Sequence, residues 1–121
     1  MQGLILAAGI GTRMGDIGIP KCLLKINGVS IIEYQINCFK KIGINDILVI
    51  CGYQSEKIKN LLKQQVRFLY NPKFRETNNI YSMWMAYNNL EEDFICVYGD
   101  LMFEPNILKK CSLIKSEIGL M

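Results

Sequence analysis

Leu6-Ala7-Ala8-Gly9-Ile10-Gly11-Thr12-Arg13-Met14-Gly15, followed by Pro20-Lys21, decides how the rest of the chain is read. The stretch begins as the end of an apolar run, Leu4 to Ala8, and breaks at Gly9. A short apolar run without polar alternation suits a strand buried on both faces, as in a parallel sheet. Glycines at its end remove side-chain bulk, so backbone N–H groups can approach an anion closely. Thr12 adds a hydroxyl donor, Arg13 a fork matched to phosphate oxygens, and Lys21 a compact second cation. Clustered donors of this kind suit a polyphosphate. The dinucleotide fingerprint is excluded because its third glycine would fall at Met14, and the P-loop is excluded because its second glycine would fall there too.

Working outward, Ile47 to Cys51, Val66 to Tyr70 and Phe94 to Tyr98 are further strand-like runs. They stop at Gly52, at Asn71-Pro72 and at Gly99-Asp100. Helical patterns lie between them. Ser30 and Glu33 form a capping box, Ile32, Ile36 and Phe39 follow at helical spacing, and Gly43 supplies a stop. Ser55 is expected to cap a second helix with Ile58, Leu61 and Leu62 on one stripe. A third, from about Ile80 to Leu90, is apolar nearly all round and is expected to be largely buried. Pro105 opens a fourth. This alternation predicts a parallel α/β sheet with right-handed crossovers. Asn27-Gly28 predicts a tight turn, with a small hairpin around Leu23 to Ile26. The long connections Gly9 to Val29 and Asn71 to Asn79 are the places to look for function.

Composition narrows the classes. Half of the 121 residues are hydrophobic and 21% are charged, which is the make-up of one globular domain, residues 1–121. The net charge of +3 is scattered, not gathered into the basic stripe of a nucleic-acid binder. The absence of His excludes His-based zinc sites and His-dependent triads. Five cysteines at wide spacings, with no C-x-x-C, read as reduced structural thiols, so the cytoplasm is the expected compartment. No apolar run approaches the ~20 residues of a membrane span. The closing Ile118-Gly119-Leu120-Met121 reads as a strand that has only begun, which predicts that the sequence is a fragment, or a truncated version, of a longer protein.

The run L-A-A-G-x-G-T-R-M followed by P-K resembles the signature of the nucleotidyltransferases that join a nucleoside triphosphate to a phosphorylated small molecule, the sugar-phosphate and choline-phosphate nucleotidyltransferases. The resemblance covers the whole chain and implies that residues 1–121 are the nucleotide-binding N-terminal part of a longer nucleotidyltransferase domain. It implies a Rossmann-like three-layer α/β/α fold with a mainly parallel sheet, of the nucleotide-diphospho-sugar transferase type. It also implies that Leu6, Ala8, Gly9, Gly11, Thr12, Arg13 and Lys21 hold the nucleotide. Of these, Arg13 and Lys21 carry the catalytic roles, Arg13 on the outgoing phosphates and Lys21 on the phosphates of the reacting pair. Asp100, just past a strand, stands where ligands bind in parallel sheets, and one carboxylate with phosphate oxygens suits Mg²⁺. The resemblance implies that Asp100 is that metal ligand. Glu76-Thr77-Asn78-Asn79-Ile80-Tyr81-Ser82 offers amides and hydroxyls that read a base edge or cap the following helix. Its T-N-N-x-Y-S form is similar to phosphocholine and aminoethylphosphonate cytidylyltransferases, which implies CTP as the nucleotide, with Asn78, Asn79 and Ser82 beside its base and ribose.

The expected activity is therefore Mg²⁺-dependent transfer of a cytidylyl group from CTP to a phosphorylated acceptor such as phosphocholine, with release of pyrophosphate. Alternatives are a sugar-1-phosphate or other small-molecule nucleotidyltransferase using a different triphosphate, and a nucleotide-binding fragment without transfer. Nucleic-acid and membrane partners are not expected, and homo-oligomerisation is left open. Tyr53-Gln54, after Gly52 at a second strand exit, reads as a plain loop, with a place bordering the nucleotide as the alternative. Helical spacing assigns Tyr81 and Trp84 to core packing, with an aromatic box for a quaternary ammonium as the alternative. Lys40-Lys41 and Lys109-Lys110 read as solvated helix faces.

Overall fold

The computed structural model describes residues 1–8, 21–73, 79–87, 89–90, 93–99 and 118–120, with Lys21, Asn79, Ile80 and 118–120 described by backbone alone. Its frame is a five-stranded sheet of β1 (Gln2–Ala7), β4 (Ile47–Cys51), β5 (Arg67–Tyr70), β6 (Phe94–Tyr98) and β7 (Ile118–Leu120). A hairpin of β2 (Lys25–Ile26) and β3 (Val29–Ser30) stands apart from it. The order is β5-β4-β1-β6-β7, and all the pairs are parallel. β1 runs beside β4 from Gly3 opposite Ile47 to Ala7 opposite Cys51, and beside β6 from Gln2 opposite Phe94 to Leu6 opposite Tyr98. The chain adds strands on one side of β1, then returns to the other. The reversal falls between β1 and β6, where an open parallel sheet forms a crevice beyond its carboxyl ends.

Alternation along the strands divides the core in two. Ile5, Ala7, Val49, Cys51 and Val97 meet α1 (Ile31–Lys41) and α2 (Ser55–Leu62) through Ile32, Ile36, Phe39, Ile58 and Leu62. Leu4, Leu6, Leu48, Ile50 and Cys96 meet α3 (Asn79–Tyr87) through Ala86 and Met83. A sheet between helices on both faces is the three-layer fold of the parallel-sheet class.

Local chemistry sets the boundaries. The Ser30 hydroxyl accepts the Glu33 N–H at 3.2 Å and donates to the Glu33 carboxylate at 2.8 Å, which starts α1. At its end the Ile44 N–H bonds to Phe39 O at 3.0 Å and the Gly43 N–H to Lys40 O at 3.1 Å, with Gly43 at φ +89°. That is the Schellman stop, and it requires a left-handed residue. Asn27 and Gly28, both at positive φ, make the two-residue turn of the hairpin.

Four expectations are corrected. The third strand is not buried on both faces, because β5 ends the sheet order and leaves Arg67 and Tyr70 exposed. The third helix is not largely buried, since one sheet face can cover only one stripe of it; Trp84 is 67% and Tyr87 72% exposed. Trp84 therefore does not pack in the core, and its ring lies 5.6 Å from that of half-buried Tyr81. Ser55 does not cap α2. It is the first helical residue, and Gln54 occupies the cap position without a side-chain capping bond. Cys22, Cys38, Cys51 and Cys96 are buried thiols, as expected. Cys111 and the helix expected after Pro105 lie outside the described residues. Among the described residues no helix is long and apolar enough to cross a membrane.

Candidate active site at the carboxyl ends of the strands

The strand ends are tied to one another by main-chain bonds. The Tyr53 N–H, just past β4, donates to Ala8 O at 3.2 Å. The Gly99 N–H, just past β6, donates to Leu6 O at 2.9 Å, and the Asn71 N–H, just past β5, donates to Cys51 O at 2.8 Å. The carboxyl ends of β5, β4, β1 and β6 thus form one row. Gly99 is required by proximity: a Cβ there would meet Ala7 Cβ at 3.1 Å and Leu6 O at 3.2 Å. The residue preceding Asp100 is in this way held directly against the end of β1.

The row is braced from both layers. Gln35 of α1, fully buried, donates from Nε2 to Tyr98 O at 2.8 Å. Asn71 is buried, its Oδ1 accepts the Lys73 N–H at 2.9 Å, and its Nδ2 donates to Ser82 Oγ at 3.2 Å. The first turns of α3 are thereby fixed to the end of β5. The Lys73 ammonium sits 5.9 Å from the Tyr81 ring centre, a cation–π contact.

Of the residues expected in the site, Leu6 and Ala8 lie at the end of β1, both buried. Lys21 opens a short 3-10 turn, Lys21–Leu23. The next residue, Cys22, is buried in the same apolar cluster as Ala7, so the turn is anchored on the β1 side of α1. Asn79 opens α3. Ser82 is buried, with its hydroxyl facing Asn71. Gly9, Gly11, Thr12, Arg13, Asn78 and Asp100 lie outside the described residues. Gln35 and Asn71 are residues to which sequence reading gave no role in the site. A signal existed for Gln35, a polar residue inside the apolar stripe Ile32, Ile36, Phe39.

Electrostatics argue against a nucleophilic role for Cys51 and Cys96. Burial pushes the Cys51 thiol up and the Cys96 thiol up to about 12, so neither supplies a thiolate near neutral pH. Among the described residues no group of three acidic or thiol side chains could hold a metal ion. A groove of about 600 Å³ opens elsewhere, between the hairpin and α1, lined by Ile26, Val29, Tyr34, Asn37, Lys40 and Lys41 among others. None of its lining residues comes from the five-stranded sheet.

Residues 3–112 match the MobA-like NTP transferase domain. The choline-phosphate cytidylyltransferase of Streptococcus pneumoniae is 37% identical over 107 residues, covering 86% of this chain and 47% of that protein. The 2-aminoethylphosphonate cytidylyltransferase of Lancefieldella rimae is 34% identical over 121 aligned positions, covering 91% and 49%. Among solved structures, the CTP:phosphocholine cytidylyltransferase from Streptococcus pneumoniae superposes with a TM-score of 0.75 at 35% identity, over 87% of this chain and 49% of that one. The inositol-1-phosphate CTP transferase from T. maritima gives 0.76 at 25% identity, over 95% and 49%. The chain spans about half the length of the curated relatives it matches.

Proposed function

The chain belongs to the MobA-like NTP transferase domain family, and from that premise we propose that it transfers a cytidylyl group from CTP to a small phosphorylated amine of the phosphocholine kind. The observation that carries this reading is the row of bonded strand ends at the switch point, from which the run Leu6 to Lys21 departs. Its similarity to cytidylyltransferases favours cytosine over other bases.

In the proposed reaction an oxygen of the acceptor phosphate attacks the α-phosphorus of CTP. The new P–O bond forms as the bond to the β-phosphate oxygen breaks, and pyrophosphate leaves with the electron pair. No covalent enzyme intermediate is needed. The protein's part is positioning and charge neutralisation. Backbone N–H groups around Gly9 and Gly11, with the Thr12 hydroxyl, cradle the phosphates. Lys21 stabilises charge at the α-phosphate, and Arg13 steadies the departing pyrophosphate. Asn78 and Asn79 read the base, while Ser82 fixes the start of α3 beside them through Asn71. Asp100 would hold Mg²⁺. The fit rests on Gly99, whose close approach to Ala7 and Leu6 brings the chain to this edge, and on the oxygen donor that a carboxylate supplies. When bound, the ion supplies Lewis acidity toward phosphate oxygens. Reduced, buried cysteines fit a cytoplasmic enzyme.

The test is a pyrophosphate-release assay on the intact protein, pairing each of four nucleoside triphosphates with phosphocholine, aminoethylphosphonate, inositol-1-phosphate and a sugar-1-phosphate, with and without Mg²⁺. The proposal expects release with CTP and a phosphoamine or phosphonate, and only with Mg²⁺. Release with another triphosphate and a sugar phosphate replaces it by the sugar-phosphate alternative. CTP binding without release under any pairing leaves a binding module.

A further inference from the structure

The corner between β4 and α2 breaks three local rules at one residue. Gln54 lies at φ +49°, ψ +44°, the left-handed region that side chains with a Cβ avoid. It holds the cap position of α2, yet makes no capping bond where Ser, Asp or Asn would. Its Oε1 is buried and has no hydrogen-bond partner among the described residues. What the side chain does instead is donate from Nε2 to the Tyr53 hydroxyl at 3.0 Å. Tyr53 is itself buried, and its backbone N–H holds the carbonyl of Ala8, the last residue before the glycine-rich run. The amide of Gln54 therefore fixes the phenol of the residue that fixes Ala8. Local violations gathered on one residue beside a binding edge mark a place where geometry is held for function, because stability alone would select against each of them.

We infer that Gln54 is a positioning residue of the nucleotide site, acting through Tyr53 on the Ala8 carbonyl and so on the direction in which the chain leaves β1 for the phosphate-binding run. The inference rests on the nucleotidyl-transfer reading and adds to it a residue that the reading does not contain.

The experiment measures CTP affinity in the presence of Mg²⁺, by calorimetry, beside the thermal unfolding midpoint, for the intact protein and for Gln54→Gly, Tyr53→Phe and the double variant. Gln54→Gly relieves the left-handed backbone while deleting the amide. It is expected to unfold near the parent's temperature yet bind CTP roughly three- to tenfold more weakly, the size of one lost hydrogen bond. Tyr53→Phe keeps the ring and the backbone N–H, and is expected to show the same loss. The double variant is expected to lose no more than either single variant, because both break one link. Unchanged affinity in Gln54→Gly overturns the inference, as do additive losses in the double variant or losses that merely track unfolding. If the parent binds no nucleoside triphosphate, the nucleotide-site reading falls and this inference falls with it. If the parent binds and the variants bind equally well, Gln54 alone is rejected.

Discussion

The two edges of the parallel sheet are held together by different means. At the amino-terminal edge the main-chain bonds from Gln2 N–H to Asp93 O (3.1 Å) and Gly3 N–H to Asp46 O (2.9 Å) are reinforced by side chains. The Asp46 carboxylate accepts from Gln2 Nε2 and, at 2.8 Å, from Arg67 Nε, while the Arg67 guanidinium also reaches Asn89 O. At the carboxyl edge neighbouring strand ends are joined main chain to main chain, at Ala8, Leu6 and Cys51, and the side chains that brace them, Gln35 and Asn71, are uncharged amides. The difference teaches where function can sit. An edge clasped by its own charged side chains has committed them to structure. An edge closed by backbone bonds, uncharged amides and a tightly packed glycine is the edge at which parallel sheets bind their ligands.

Substitutions can break that contrast. The largest effect is expected at Lys21→Ala, at least a hundredfold in turnover, or about 3 kcal/mol for one preorganised charge contact. Its unfolding midpoint should stay near the parent's, and turnover near the parent's would remove Lys21 from the reaction. Next comes Gly99→Ala, which presses a methyl against Ala7 and Leu6 O. Overpacking of this sort costs about 1–3 kcal/mol, read by denaturant unfolding, and CTP affinity should fall with it because the β1 and β6 ends are forced apart. Ser82→Ala removes the hydroxyl that accepts from buried Asn71 Nδ2 and should cost about 0.5–1.5 kcal/mol of stability, with a smaller change in affinity than at Gly99.

The smallest effect belongs to the opposite edge. Arg67→Ala removes an exposed pair, worth under about 1 kcal/mol, and should leave turnover unchanged; a turnover loss there would blur the distinction between the edges. The Asp46 carboxyl is held below the usual carboxylate range, first by the hydrogen bond from Gln2 and then by Arg67, against the opposing effect of burial. A depressed carboxyl contributes stability above its unfolded value, near pH 3.9, and that contribution is lost as pH falls through the depressed value. Acid titration of stability should therefore show a shallow loss confined to pH below about 4, absent in Asp46→Asn.

The legible parts of the fold were those specified by short-range rules. The apolar runs located the strands because a buried parallel strand needs no polar alternation. Ser30, Glu33 and Gly43 bounded α1, and Asn27-Gly28 turned the hairpin, each by local hydrogen bonding or positive φ. What the sequence hid depended on how many faces the tertiary structure offers. The Val66 to Tyr70 run does not reveal that β5 ends the order, and the apolar surface of α3 does not reveal that only one stripe finds a sheet. The same holds at the site. The place of Leu6 and Ala8 at the end of β1 follows from the apolar run they belong to. The Gln35 bond to Tyr98 O and the Asn71 bond to Ser82 join residues far apart in the chain. Gln54 was read as a plain loop because a left-handed glutamine has no signature in one sequence.

The central claim is that the nucleotide sits at the row of bonded carboxyl ends. Titrating the ¹⁵N-labelled protein with CTP and Mg²⁺ and following backbone amide shifts tests it most directly. The account predicts saturable changes centred on Ala8, Tyr53, Asn71 and Gly99, with Gln2, Gly3, Asp46 and Arg67 nearly still. Changes centred on the amino-terminal edge, or none at millimolar CTP, would contradict it.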